Sequence, residues 1–264
     1  MRPITRAAIA AIVALLAAAT VTACSPKVDT PAAGGPTGGG TTTDKSSTIS
    51  FYHLLMTNTA PSSSVAFKAN TFTFGAGSAY LATSLNNTVA WSSTTPLVPF
   101  EVTDGGTTRF VAQGKLLYNL VAHSAIVIGV NGSTDPNLQP SLVLAAKDSA
   151  NPVGGAARVR WLHAWPAVGA VDIWSGSPGF EIRVVQNLAY GQISAYSDIT
   201  AATPTTSLHV VITPAGVARG VADYANISAI SQITVGNAYL VPLIYTSSNF
   251  SSPGIKSIGI YQER

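Results

Sequence analysis

Short apolar segments alternate with turn-forming clusters from Thr48 to the end of the chain. The segments are rich in Val, Ile, Tyr, Phe and Thr, which favour strands, and they are bounded by Gly, Pro, Asn and Ser. None shows a long apolar pattern with the helical period of about 3.6 residues. The predicted strands are 49–56, 65–68, 97–103, 124–130, 141–146, 157–163, 171–174, 181–186, 207–213, 238–245 and 255–261. This pattern predicts an all-β protein of the sandwich type.

The two halves of this β-rich region resemble each other in sequence. A predicted strand ends in His53 in the first half and in His163 in the second, and a Pro-containing turn follows each one. An aromatic-Gly pair followed by Ser-Ala-Tyr then occurs at 74–80 and again at 190–196. These matches keep their order at a spacing of about 110 residues, which indicates an internal repeat.

The repeat predicts two tandem β-sandwich domains of the immunoglobulin-like kind, the first over 48–150 and the second over 156–264. The segment between them, 148–156, is rich in Ala, Asn, Pro and Gly. Such residues interrupt strands, so we expect the join between two folding units in this segment.

Residues 1–23 have the organisation of a bacterial export signal. Arg2 and Arg6 give it a positive start, and the apolar run that follows is short and rich in Ala, unlike a membrane span of about 20 strongly apolar residues. The run ends in Val21-Thr22-Ala23-Cys24, which resembles the lipobox of bacterial lipoproteins. In that class of protein the peptidase cuts before the Cys, and the sulfur takes a diacylglyceryl group. We therefore predict lipidation of Cys24; an ordinary cleaved signal with an incidental Cys is the alternative.

The lipid on Cys24 would make the membrane a partner of this protein, because each buried methylene contributes about 0.8 kcal/mol. Ser25 is compatible with the outer membrane if the cell is Gram-negative, since an Asp there would usually retain a lipoprotein in the inner membrane. Residues 24–47 show no apolar period and are dominated by Gly, Pro and Thr. They are predicted to form a flexible, disordered tether with a coil dimension of about 25–30 Å.

Composition narrows the classes of function. Only 9% of the residues are charged, and loss of Arg2 and Arg6 with the signal lowers the basic total from 14 to 12, against 11 acidic residues. No basic cluster remains, so nucleic-acid binding is not expected. Cys24 is the only Cys, so the chain has no disulfide although an exported protein could form one.

The second repeat resembles the DUF4397 family of exported bacterial domains, whose function is unknown. That family opens with a strand of the form A-R-V-R-V-V-H and continues A-S-P-D-A-P-A-V-D-V-Y; this chain has Ala-Arg-Val-Arg-Trp-Leu-His at 157–163 and Val-Asp-Ile-Trp at 171–174. A later family element, L-x-[FY]-G-x-x-S-x-Y, matches 188–196. The resemblance covers about 157–245 and is fainter over 48–148. It implies a β-sandwich in the envelope or outside the cell, and no established chemistry.

Three residues near the first turn of the second repeat are candidate ligand-binding residues: His163, Trp165 and Asp172. His163, like His53, closes a strand, and the favoured interpretation is that the ring bonds loop backbone. Asp172 could face solvent, or it could bond the preceding turn and His163. The first repeat has Ala66 at the corresponding position, so an acidic site is not shared by both repeats. Trp165 stands beside a Pro in the turn and is expected to be exposed, where it could stack on a sugar or anchor a protein; core packing is the alternative.

No catalytic or metal-binding spacing is present. The chain has no G-x-S-x-G, P-loop, H-E-x-x-H, H-x-H or H-x-x-x-H element, so no catalytic residue, metal site or cofactor is predicted. The sequence favours a non-enzymatic binding or scaffold module of the cell envelope, with a polysaccharide or a protein as partner. The alternative is an envelope hydrolase whose site would lie between the two β domains.

Overall fold

The computed structural model of the chain describes the β-rich region. The residues it describes are 45–57, 64–92, 97–104, 109–148, 150–166, 168–200, 208–230, 233–245 and 256–263. The predicted signal, Cys24 and the tether up to residue 44 lie outside the described residues. Residues 42–264 form one compact unit. No helix among the described residues has the length and hydropathy needed to cross a membrane.

The described residues contain seventeen strands, of which eight end by Ala146 and nine begin at Ala156 or later. The first half, 45–148, contains β1 (Lys45–Thr57), β2 (Val65–Ala69), β3 (Phe72–Ser78), β4 (Thr83–Trp91), β5 (Val98–Thr103), β6 (Arg109–Lys115), β7 (His123–Asn131) and β8 (Ser141–Ala146). The second half, 150–263, contains β9 (Ala156–His163), β10 (Val171–Gly176), β11 (Ile182–Leu188), β12 (Ser197–Thr200), β13 (Leu208–Pro214), β14 (Ala225–Ile230), β15 (Ala238–Tyr245), β16 (Lys256–Ile258) and β17 (Tyr261–Gln262). The predicted all-β fold class is confirmed.

The two halves have the same topology. In the first half the strand orders are β4-β1-β7-β8, the inner sheet, and β3-β2-β5-β6, the outer sheet. In the second half the inner sheet has the order β12-β9-β15-β16, and β17 also pairs with β15. The outer sheet of the second half has the order β11-β10-β13-β14. The pairs β1–β7 and β9–β15 are parallel, and the other named pairs are antiparallel. Each sheet takes its strands from one half, as a duplicated unit would; whether each half folds alone stays a prediction.

Side-chain alternation along the inner strands builds three apolar layers. In β1, Phe51 and Leu55 face the outer sheet of their own half, whereas Tyr52 and Leu54 face the second half. The same alternation occurs in β7, β9 and β15. Two layers are therefore the cores inside the halves. The third, between the two inner sheets, consists of Tyr52, Leu54, Ile126, Ile128, Leu162, Ala164, Leu240 and Ile244.

The central strands of the inner sheets are consequently buried on both faces. All eight residues of β15 are buried, and so is β7 apart from its last residue. Parallel strands covered on both sides carry nearly continuous apolar runs, which is the pattern of these segments. Each fully buried Leu or Ile in the shared layer contributes about 1.5–3 kcal/mol to stability.

A buried ion pair of the second half bonds to the first half beside this layer. Arg160 of β9 donates Nε–H to Glu263 Oε2 at 2.9 Å and an Nη2–H to the other carboxylate oxygen, while its Nη1 donates to the carbonyl of Ala146 at 2.8 Å. The hydroxyls of Tyr196, at 2.6 Å, and of Ser124 donate to the same carboxylate. Burial raises the pKa of Tyr196, so its hydroxyl keeps the proton that it donates. Residues of both halves thus satisfy one buried carboxylate.

The tether predicted over 24–47 ends earlier than expected, because β1 begins at Lys45. Residues 45–47 pair with 89–91 of β4. Ser47 is buried, and its Oγ lies 2.8 Å from Nδ1 of His123. The boundary was wrong because these polar residues carry no apolar pattern, yet their backbone extends the inner sheet.

We expect the pair of Arg160 and Glu263 to be a main determinant of stability. Replacing Arg160 by Met leaves the carboxylate buried without its counter-charge, and removal of one partner of a buried pair typically costs about 3–5 kcal/mol. The matched control is Arg158→Met, since Arg158 lies on the same face of β9 but its pair with Asp148 is partly exposed. Such a pair contributes about 1 kcal/mol or less. Urea unfolding measures both losses, and equal losses would contradict the assignment.

Candidate functional site

The two repeat histidines occupy equivalent corners of the inner sheets. His163 is fully buried; its Nε2 lies 2.9 Å from the carbonyl oxygen of Gly169, and its Nδ1 accepts the N–H of Trp165 at 3.3 Å. In the first half, Nδ1 of His53 accepts the N–H of Leu55 at 3.2 Å. Burial lowers the pKa of His163, which favours a neutral ring with its proton on Nε2. The ring therefore holds the turn before β10, and both nitrogens are used in doing so.

Asp172 fixes two segments of the outer sheet and does not share a partner with His163. Its side chain is fully buried. One carboxylate oxygen accepts the N–H of Asn187 at 2.7 Å; the other accepts the N–H of Gly216 at 3.1 Å and an Nη1–H of Arg183 at 3.2 Å. The carboxylate thus stabilises the end of β11 and the loop between β13 and β14. The possibility that Asp172 faces solvent, which the sequence analysis left open, is therefore wrong.

The expectation that Trp165 is exposed is wrong. Its side chain is fully buried beside Tyr245 in the core of the second half, and its Nε1–H donates to the carbonyl of Ile244 at 2.7 Å. The alternation of β9 explains this position, because Trp161 and Trp165 both face the core although the strand has ended between them. Trp165 therefore offers no stacking face to a ligand in this structure.

A pocket of about 430 Å³ lies on the outer sheet of the second half, on the face turned away from the core. In β13, Val210 and Ile212 point into the core, so His209 and Val211 lie on the opposite face. The loop before β11 and the loop between β13 and β14 complete the walls. Two glycines line the pocket together with Glu181, His209, Val211, Arg219, Asp223 and Asn226.

Glu181 is the centre of a hydrogen-bonded cluster in this pocket. Its buried carboxylate accepts an N–H from Nδ1 of His209, an N–H from the guanidinium of Arg219 and the backbone N–H of Gly179, the last at 2.9 Å. The other ring nitrogen of His209 bonds to Oδ1 of Asn226. Because both nitrogens face oxygen acceptors, the ring is held as an imidazolium. The cluster clamps the two loops to the sheet.

Charge pairing sets the pKa values in the cluster. Burial alone would raise the pKa of Glu181, but the bonds from His209 and the backbone and the charge of Arg219 lower it to about 2. Burial alone would lower the pKa of His209, but the bonds to Asn226 and Glu181 raise it. With these atoms engaged, the cluster has no free base for proton transfer. Among the described residues, no three His, Cys, Asp or Glu side chains come together as metal ligands.

Exposed apolar residues stand next in sequence to pocket-lining residues on both loops. Phe180, next to Glu181, is 81% exposed, and Val221, next to Gly220, is 75% exposed. Ile182, which begins β11, is also exposed. Large exposed apolar side chains on the loops of a polar pocket are typical of an interaction surface.

Sequence reasoning missed this pocket because its residues come from separate segments. Glu181 and His209 are 28 residues apart, and no short motif contains both. One signal was available: His209 interrupts an apolar strand in a chain with only 9% charged residues. A polar residue in such a strand needs a partner, and a carboxylate is a natural one.

The first half has a smaller pocket, about 300 Å³, at the equivalent place. By the strand register, Pro99 takes the position of His209, and Ala112 takes that of Asn226. Lys68 and Glu101 line this smaller pocket, but they pair at the outer limit of an ion pair, 3.9 Å. In the described part of the chain, the cluster of Glu, His and Arg belongs to the second half.

No protein-family model matches this chain, and no curated protein matches it. Among solved structures, the chain is similar to a protein from Bacteroides ovatus described as a "putative cell adhesion protein", at 12% identity and a TM-score of 0.20. The match covers 82% of this chain and 96% of the other. A TM-score of this size supports no conclusion about function, which has to come from the site itself.

We expect stability to depend on pH through His209 and Glu181. A raised folded pKa means that protonated His209 stabilises the fold fully below its unfolded pKa of about 6.5, and that this contribution is lost as the pH rises through the folded value. The contribution of Glu181 is present above about pH 4.5 and is lost as the pH falls towards 2. The pair therefore stabilises most between about pH 4.5 and 6.5.

Thermal unfolding of wild type and His209→Gln checks this dependence. The loss of melting temperature in the variant should be larger near about pH 5.5 than near about pH 8.5, because only the wild type gains from the protonated ring. A loss that is the same at both pH values would show that the ring is not held as an imidazolium.

Proposed function

We propose that this chain is a lipid-anchored protein of the bacterial cell envelope that acts as a non-enzymatic binding module, with its ligand site at the pocket around Glu181. The observation that carries the proposal is the cluster of Glu181, His209 and Arg219, which fixes two loops with exposed apolar tips and engages its own ionisable side chains in bonds to one another. A preformed pocket with a few polar groups and apolar borders is typical of a binding site.

The charge balance of the pocket favours an uncharged, polar ligand. Two cations, His209 and Arg219, and two carboxylates, Glu181 and Asp223, line it, so their formal charges cancel. The exposed ring of Phe180 can stack on the apolar face of a sugar, while the polar lining can bond hydroxyl groups. We therefore infer an envelope polysaccharide as the ligand, with a protein partner as the other outcome of the test.

The alternative of a hydrolase site between the two β domains gains no support from the described residues. The surface between the halves is filled by the shared apolar layer and by the buried pair of Arg160 and Glu263. The carboxylate of Glu263 there bonds to the guanidinium of Arg160 and to the hydroxyls of Ser124 and Tyr196.

The anchor and the location of the proposed module rest on the sequence. The run Val21-Thr22-Ala23-Cys24 after an apolar segment supports lipidation, and Ser25 supports an outer-membrane location in a Gram-negative cell. The resemblance of 157–245 to DUF4397 supports an envelope or extracellular setting. These three points stay predictions until the protein is fractionated and labelled.

Replacing Cys24 by Ala should release the protein from membranes, because the substitution removes the sulfur that takes the lipid. Cell fractionation and uptake of a labelled fatty acid measure the effect, and Ser25→Ala is the control because it leaves the sulfur in place. A Cys24→Ala protein that stays with membranes, together with a wild type that takes up no label, would contradict the lipoprotein assignment.

Replacing Phe180 by Ala should weaken binding to isolated cell-wall polysaccharide by about tenfold, since an aromatic anchor typically contributes at least about 1–2 kcal/mol. The fold should tolerate the change because the ring is exposed. Co-sedimentation with the polysaccharide measures binding, and Val153→Ala, an exposed apolar residue in the join, is the control. A wild type that does not sediment would refute the polysaccharide ligand, and equal losses in both variants would refute the site.

A further inference from the structure

A second apolar surface lies at the end of the first half where the described chain begins. It consists of Leu97, Leu116, Tyr118 and Leu120, which are 50%, 51%, 45% and 82% exposed. We call it the end patch. None of the four belongs to either core, and although the ring of Tyr118 stacks on that of His123, the exposure of the three leucines suggests a contact outside the fold.

The backbone places Leu97 beside Leu116 and fastens the segment that follows β6 to the first strand. Leu97 and Leu116 are neighbours because the start of β5 pairs with the end of β6. The N–H of Leu120 donates to the carbonyl of Ser46 at 2.8 Å, and the side-chain oxygen of Asn119 accepts the N–H of Ser46 at 3.0 Å. The end patch is therefore bound to the second residue of β1, next to the point where the tether joins the folded region.

Leu120 has an unfavourable backbone conformation as well as an exposed side chain. Its φ is +60°, a left-handed value that Gly and Asn adopt more readily than Leu. A strained residue in a loop whose side chain gains no burial is expected where the side chain serves contact with another molecule. Lys115 is adjacent in sequence to the patch, and no acidic residue occurs from 105 to 134.

We propose that the end patch rests on the lipid bilayer, with the side chains of Tyr118 and Leu120 inserted at the headgroup level. This inference rests on the proposed anchor, because residues 25–44 would join Cys24 to the same end of the first half over a coil of about 25 Å. The anchor therefore keeps this end close to the membrane. Leu suits the acyl boundary, Tyr suits the interface, and Lys115, in a sequence segment without acidic residues, suits anionic headgroups.

Vesicle binding without the lipid tests the end patch. The chain from residue 24 onward carries Cys24→Ser and is mixed with vesicles of phosphatidylglycerol and phosphatidylethanolamine. It should co-sediment with them, and adding Leu120→Asn should lower the partition coefficient about tenfold. Asn accepts the left-handed conformation, so the melting temperature should not fall. Val153→Asn, at an exposed apolar residue of the join, is the matched control and should bind like its parent.

The outcomes separate this inference from the anchor on which it rests. A wild type that takes up fatty acid, but whose Cys24→Ser form does not bind vesicles, would overturn the role of the end patch and leave the anchor intact. Vesicle binding that Leu120→Asn does not change would also overturn it. A Leu120-dependent dimer in sedimentation, without vesicle binding, would assign the patch to a second copy of the chain.

Discussion

Burial of the inner sheets on both faces is the constraint on which the rest of the structure depends. β1 and β7 face their own core with one set of alternate side chains and the second half with the other, and β9 and β15 do the same. A charge on these faces must be paired, since an unpaired buried charge is strongly destabilising. Arg160 meets this condition through Glu263, and the hydroxyl of Ser124 in the first half completes the carboxylate's hydrogen bonds. The hydroxyl of Ser124 and the carbonyl of Ala146 in the first half thus complete the hydrogen bonds of an ion pair that belongs to the second half.

The outer sheets are under less constraint, and there the repeats have diverged. Both outer sheets have a bulge near the end of their first edge strand, β3 in the first half and β11 in the second. In the second half Asn187 adopts a φ of +53° there, and the carboxylate of Asp172 bonds its N–H. In the first half Gly77 adopts +80° without steric cost, and Ala66 stands in place of the Asp. The same freedom allowed a Glu181–His209 cluster to form in one half only.

Burial of the strands also determines how much of the fold could be predicted from the sequence. The eight central strands were all found, because strands covered on one or both faces carry apolar runs. The five that were missed, β3, β4, β6, β12 and β14, are all edge strands, which pair on one side only and tolerate polar residues such as Asn86 and Asn87. The candidate site could not be found in the same way, because contacts between distant segments such as Glu181 and His209 follow from topology. Trp165 was misplaced because a turn after a strand was assumed to face water.

The layered order also determines how the proposed anchor and ligand site are connected. The tether joins β1 in the inner sheet of the first half, whereas the Glu181 pocket lies on the outer sheet of the second half, with the second inner sheet between them. The connection between the halves is a shared apolar layer with a buried ion pair, and not a hinge of exposed polar residues. Force on a bound polysaccharide would therefore pass to the anchor through packed β-sheets. Separating the halves would expose the continuous apolar face of each inner sheet to water, which opposes their separation.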